Sequence, residues 1–358
     1  MDIEAGPIQT AAATPPGRRW VEGWRGGALL FFTFLVLSLP QYVDACRTLA
    51  FRTGPFDDYP GMILRLSGDA ESPKLTSPFG YRVLSWGPGV ALLHVVPVLP
   101  FSELPKPEDG GPSVARLRAI SALAALAWWS SALLAWLTAW NCRRQWGASA
   151  GAAVAAGLLT LLLVRFAMIH SVDPVSIAAI ALLLAVLPRE RLLLPLLLVA
   201  PFINEKVTLV MTVHLAVRWF RGERGLSRAV AVAILSALLW LAAVALVDLP
   251  VADLFADGMN LLAWPANLVR SLRLSLSPRG LVLNVLPTAI MAALFIVAKG
   301  QPRSARAPVG LAEGLPVLAL FLASAAADVH FNIGRVVMYG MPLLAPPALA
   351  RLDQLRSQ

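Results

Sequence analysis

A chain of 358 residues that is 58% hydrophobic and only 14% charged is not a soluble domain, where about a quarter of the residues would be charged. Its net charge of +9 does not point to nucleic acid, because the arginines fall in short clusters between apolar runs, as in the cytoplasmic loops of a multi-span membrane protein. Two cysteines, Cys46 and Cys142, are too few for a disulfide framework and stand in no metal-ligand spacing.

The chain begins "MDIEAGPIQTAAATPPGRRWVEGWRGG", and residues 1–26 are expected to form a disordered cytoplasmic N-terminus. No short basic start or small-residue cleavage site marks a signal peptide, so the first apolar run is expected to remain as a transmembrane helix. A helix needs about 20 apolar residues to cross the hydrocarbon core. Candidate spans lie at roughly 27–45, 117–141, 149–169, 174–188, 191–204, 206–220, 227–248, 281–298, 310–327 and 335–349. The fold class is therefore all-α: a polytopic transmembrane helical bundle of about ten spans, forming one membrane domain over 27–349 with a cytoplasmic tail at 350–358.

Orientation follows from the basic loops. Arg18, Arg19 and Arg25 precede the first span. Arg143 and Arg144, Arg189 and Arg191, Arg218 to Arg228, Lys299 to Arg306, and Arg351 and Arg356 then fall at alternate span ends. With ten spans every cluster is cytoplasmic, as are both termini. Residues 83–101, "VLSWGPGVALLHVVPVLPF", are apolar enough for an eleventh span, but that would invert every later loop. Residues 46–116 are therefore expected to be a long first external loop, with 83–101 lying in or dipping into the interface and broken at Gly87-Pro88-Gly89. Cys46 and Cys142 then sit on opposite faces and do not pair. The excess of Arg over Lys, with Ala and Leu abundant, suits a bacterium of high GC content, and hence its inner membrane.

Under this topology the unusual polar residues gather on the outer face. "FDDY" places Asp57, Asp58 and Tyr59 in the first external loop, with Arg82 after them. "MIHSVDPVS" places His170 and Asp173 at one outer turn, "APFINEKVTL" places Asn204, Glu205 and Lys206 at the next, and "AAADVHFNIGRVVMYG" places Asp328, His330 and Arg335 at the last. Charged groups at membrane depth are costly and face a cavity or a partner, so one shared polar cavity is expected. Simpler roles stand beside this. Adjacent loop acids are often merely solvated, and Asp173 before Pro174 is an ordinary helix start. Glu205 and Lys206 suit a mutual ion pair, and the lone histidines His94 and His214 suit structural roles.

These residue types divide labour in a recognisable way. A carboxylate beside an acceptor hydroxyl removes its proton as the nucleophile forms, and a neighbouring acid raises its proton affinity. Arg and Lys hold a phosphate leaving group, Arg by a bidentate fork. Tyr59 suits stacking on a sugar ring.

An N-terminal span followed by a long external loop bearing "FDDY" resembles the GT-C class of polytopic membrane glycosyltransferases. "SPFGYRVLSWGPG", "PFINEKVTL" and "GRVVMYGMPLL" are similar to short elements in bacterial, mannosyltransferase-like members. The resemblance implies a polyprenyl-phosphate-linked sugar donor, membrane lipids as surroundings, Asp58 or Asp57 as the catalytic base, and interfacial helices in the first loop. Arg335, Lys206 or Arg82 would bind donor phosphate, and Tyr59, Asp173, Glu205, Asp328 and His330 would line the substrate site. The chain departs from the oligosaccharyltransferase-type members in lacking a large soluble C-terminal domain. No acid set for Mg²⁺ or Mn²⁺ appears beyond the pair itself, so a divalent cation stays an open point. Two other functions fit the same composition: a transporter or flippase of a lipid-linked sugar, and a noncatalytic membrane subunit of an envelope-polymer assembly. Transporters typically carry internal repeats meeting near the midplane, and no repeat is visible here.

Overall fold

The computed structural model describes residues 23–51, 58–68, 83–98, 112–168, 173–247, 264–300, 309–326 and 332–358. Every regular element among them is helical. In chain order these are α1 (Trp24–Leu37), α2 (Leu39–Phe51), α3 (Asp58–Leu66), α4 (Val83–Trp86), α5 (Pro88–Leu92), α6 (Val114–Trp146), α7 (Ala150–Met168), α8 (Asp173–Val186), α9 (Glu190–Ile203), α10 (Glu205–Phe220), α11 (Ser227–Val247) and α12 (Trp264–Ser275). They are followed by α13 (Pro278–Ala298), α14 (Leu311–Ala326) and α15 (Ile333–Ser357).

Among the described residues four helical segments are long and apolar enough to cross a membrane: Arg25–Thr48, Val114–Trp146, Pro278–Ala298 and Ile333–Ser357. The outward faces are apolar. Leu29, Phe32 and Val36 on α1, Leu158 and Leu162 on α7, and Leu235, Leu238 and Leu239 on α11 are all exposed. Water would not tolerate so much contiguous hydrocarbon, whereas lipid does. The chain is a membrane protein.

Helix α6 is the organising element, and α1, α2, α3, α5, α7, α8 and α15 all pack on it. It starts at the Ser113 cap, whose hydroxyl accepts from Arg116 N at 3.2 Å. At about 1.5 Å per residue its 33 residues exceed the hydrocarbon thickness of about 30 Å. Small residues let its backbone approach α7 closely. Ala132, Ala135 and Ala139 share a buried cluster with Ala153 and Ala156. A Cβ on Gly157 would come within 2.9 Å of the Ala135 carbonyl and 2.3 Å of the Phe34 ring.

Several boundaries differ from the sequence reading. The first span, expected at 27–45, is two helices meeting at Ser38. Pro40 cannot donate to a carbonyl in the preceding turn and so interrupts the helix. α2 then runs to Phe51, inside the stretch taken for external loop. Residues 83–92 form two short helices around Gly87, too short to cross, with Trp86 and Gly89 buried. α6 is longer than 117–141 because helical hydrogen bonding continues through Arg116, Arg118, Arg143 and Arg144, where hydropathy fails. α15 likewise runs to Ser357, so most of the expected tail at 350–358 is its last turns. Asp353 accepts from Ser149 N and Oγ, both at 2.7 Å. The amphipathic helix α12 was not expected, because Arg270 and Arg273 break its hydropathy.

The two cysteines are free and buried. Cys46 packs on Ala124 and Ala125 of α6, roughly five helical turns from Cys142.

Short turns after α6, α8 and α10 bring the described basic residues beside them to one end of the bundle. There Glu190 at the start of α9 lies 3.8 Å from Arg228 at the start of α11. The Arg221 guanidinium lies close beside Gly310, just before α14.

Candidate functional site

At the opposite end, three helix starts converge: those of α8, α10 and α15. Asp173, the first residue of α8, is 3% exposed. Its Oδ2 lies 3.0 Å from Arg335 Nε, and its Oδ1 accepts a short hydrogen bond from the Tyr339 hydroxyl. Arg335 and Tyr339 are four residues apart at the start of α15, a spacing that puts both on one helix face. The Tyr339 oxygen in turn accepts from Asn204 Nδ2 at 3.1 Å.

Asn204 separates α9 from α10. Its extended backbone (φ −171°, ψ 136°) breaks the helix, and its Oδ1 caps α10 by accepting from Lys206 N at 3.1 Å. That cap turns Lys206 toward the cluster. Lys206 Nζ lies 2.9 Å from Glu205 Oε1 and 3.5 Å from Asn204 Oδ1. It also stands 5.6 Å from the centre of the Tyr339 ring, within cation–π range.

Two acids and two bases balance, which makes their burial tolerable. The acid is the buried member: the Asp173 side chain is 5% exposed, against 38% for Arg335. Lys206 and Glu205 are 19% and 28% exposed. A sequestered carboxylate thus holds a guanidinium whose side chain reaches the surface of the site, beside a second cation that is itself paired with Glu205. An anionic oxygen group is what two such cations recognise.

Asp173, Glu205, Lys206 and Arg335, singled out in the sequence, are brought together here. Glu205 and Lys206 do form the mutual pair, but within a larger network. Tyr59 is partly buried and packs against the apolar cluster of Met62, Ile63, Trp86, Ala119 and Ile120. Asp58 opens α3, while its side chain, like all of Asp57, Arg82, His170, Asp328 and His330, lies outside the described residues. α4, which directly follows Arg82, packs against α9, so the first-loop segment reaches the helix that leads into Asn204. Among the described residues no three His, Cys, Asp or Glu side chains stand together as metal ligands.

Tyr339 was missed in the sequence. Its signal was the four-residue spacing from Arg335 within "GRVVMYG".

A second polar cluster occupies the basic end. Arg218, 2% exposed, donates through Nε to Glu223 Oε1 at 2.9 Å and through Nη2 to Oε2 at 2.5 Å. His214 Nδ1 donates to the Ala312 carbonyl at 2.8 Å, which leaves Nε2 as the acceptor facing Arg218 Nη1 at 3.5 Å. Glu313 Oε2 accepts from Gly310 N at 3.0 Å and so caps α14. Asn141, Gln145, His214 and Glu313 border a cavity of about 10 Å³, the size of one water. His214, expected as a lone histidine, is thus bonded to the backbone and faces Arg218.

No protein-family profile, curated protein or solved structure matches the chain.

Proposed function

We propose that the chain is a membrane glycosyltransferase of about ten spans, with both termini cytoplasmic, in a bacterial inner membrane. It moves a sugar from a polyprenyl-phosphate donor to a lipid, glycan or protein acceptor on the extracytoplasmic face. The observation that carries this reading is the convergence of Asp173, Arg335, Tyr339, Asn204, Glu205 and Lys206 from three helix starts, at the end opposite the basic loops. By the positive-inside rule that end is the outer one.

In the proposed reaction, Arg335 and Lys206 hold the donor phosphate, and Asp173, itself held by Tyr339, positions Arg335. Asp58 or Asp57 takes the proton of an acceptor hydroxyl. The hydroxyl oxygen bonds to the anomeric carbon, the bond from that carbon to the phosphate oxygen breaks, and polyprenyl phosphate leaves with its electron pair stabilised by the two cations.

The test is transfer from a panel of polyprenyl-phosphate sugars by the purified protein in liposomes. Replacing both acids, Asp57→Asn with Asp58→Asn, is expected to lower turnover by roughly 100-fold or more without loss of folded protein. Unchanged turnover in that variant removes the acids from catalysis. Orientation is checked separately in a cysteine-free background carrying Asp58→Cys or Glu205→Cys. A membrane-impermeant thiol reagent is expected to label both in intact cells, and labelling only after lysis inverts the topology.

A further inference from the structure

Helix α12 takes no part in the network around Asp173, and its faces are sorted in an unusual way. One face is fixed to the bundle. Ser271 is fully buried and donates to the Ala325 carbonyl near the end of α14 at 3.1 Å, and Ser275 accepts from Asn284 Nδ2 at 3.0 Å. The other faces are exposed. Val269, Leu272 and Leu276, spaced three and four residues apart, form an apolar stripe with Trp264 at the helix start. Beside it Arg270 and Arg273 are exposed three residues apart, hence neighbours on the helix surface. Arg279, also exposed, follows at the start of α13. Pro265, Ala266, Val269, Arg270, Arg273 and Leu274 line an open groove of about 580 Å³.

This arrangement matches the boundary between acyl chains and headgroups. A helix with an apolar stripe, a basic stripe and a Trp settles there, its hydrocarbon side in the acyl layer and its charges at phosphate level. Two arginines beside exposed hydrocarbon complement a ligand whose anionic head is joined to a long apolar chain. A free phosphate would have no use for the apolar stripe.

The groove is also tied to the candidate site. Pro287 has no N–H for the Leu283 carbonyl, and the helix widens to a π-turn over Leu281–Val285. The carbonyl is left facing Gly334, where a Cβ would come within 2.1 Å of it. The same turn aims Asn284 inward, bonded to Ser275 on one side and within 3.5 Å of Gly334 N on the other. Gly334 directly precedes Arg335, so α12 and the phosphate-facing arginine share one polar link.

We propose that the α12 groove is the docking place for the phosphate head of a membrane lipid, with Arg270 and Arg273 on the phosphate and Val269, Leu272 and Leu276 on its chain, and that it delivers the lipid-linked donor toward Arg335. The delivery role rests on the transferase reading above.

The experiment uses the full chain in phosphatidylcholine nanodiscs, with a photoactivatable polyprenyl monophosphate as the probe. Crosslinking is expected on α12 and to fall at least tenfold in the Arg270→Gln/Arg273→Gln variant. It is expected to stay within twofold of wild type in Arg270→Lys/Arg273→Lys, which keeps the charge, and in Arg143→Gln/Arg144→Gln at the other end. Unchanged crosslinking in the Gln variant overturns the proposal, as does equal competition by millimolar inorganic phosphate, which would mean a site for the ion rather than for a lipid. The two readings fail separately. Asp57→Asn/Asp58→Asn is expected to keep full crosslinking. If the wild-type protein transfers no sugar from any polyprenyl-phosphate donor of the panel while α12 still captures the probe, the transferase reading falls and the docking site stands.

Discussion

The two ends of this bundle hold polar clusters built from the same residue types, yet they are wired differently. At the basic end, Arg218 is sealed and met by both oxygens of Glu223, with His214 and Glu313 each bonded to backbone. At the opposite end the Asp173–Arg335 pair has the acid sealed and the base 38% exposed, while Lys206 and Glu205 beside it are both partly exposed. A buried cation held by a fork is occupied by its partner and locks helix ends together. A buried anion instead holds a cation whose side chain reaches the surface, as Asp173 holds Arg335. Between the Arg218–Glu223 and Asp173–Arg335 pairs, what differs is which member is buried rather than the presence of an ion pair.

The largest expected effect of breaking this contrast is at the basic end. Glu223→Ala leaves the Arg218 charge buried without its fork, and should cost about 3 kcal/mol, read as a lower unfolding midpoint in detergent. Any transfer activity measured on the surviving folded fraction should be unchanged. At the other end the sign reverses. Arg335→Lys keeps the charge and loses the planar fork, so donor turnover should fall about tenfold while stability moves by less than about 0.5 kcal/mol. Wild-type turnover with a lowered midpoint would make Arg335 a structural group like Arg218. The smallest effect is expected for Tyr339→Phe, which removes one hydroxyl shared by Asp173 and Asn204 and should cost about 1 kcal/mol. Its value lies in the cycle with Asp173→Ala, where the two losses should be less than additive because both cut the same bond.

Some of this was legible in the sequence, for reasons that are local. The hydrophobic runs mark helices because backbone groups in lipid must bond within their own segment. Arg clusters at alternate run ends order those helices end to end. Asp173, Glu205, Lys206 and Arg335 stood out because charge at span ends demands a partner. The reading failed where hydropathy and hydrogen bonding part company. α6 continues through its terminal arginines, α15 through Arg351 and Asp353, and α12 carries enough Arg to hide its amphipathic face. Tyr339 was overlooked because an isolated tyrosine in an apolar run carries no charge signal, although the four-residue step from Arg335 contained its position.

By itself, then, the sequence determined an all-helical membrane protein with its bases and its unusual acids at helix ends, since composition and periodicity act through neighbours along the chain. Only the tertiary structure decided that α8, α10 and α15 start at one place, that Asp173 is sealed while Arg335 is open, and that Arg218 is the reverse. Those outcomes depend on contacts between residues more than a hundred positions apart, such as Asp173 with Tyr339 and Asn204 with Tyr339. Desolvation of a charge is set by what packs over it in space, and nothing in the local pattern around Arg218 or Arg335 specifies that cover.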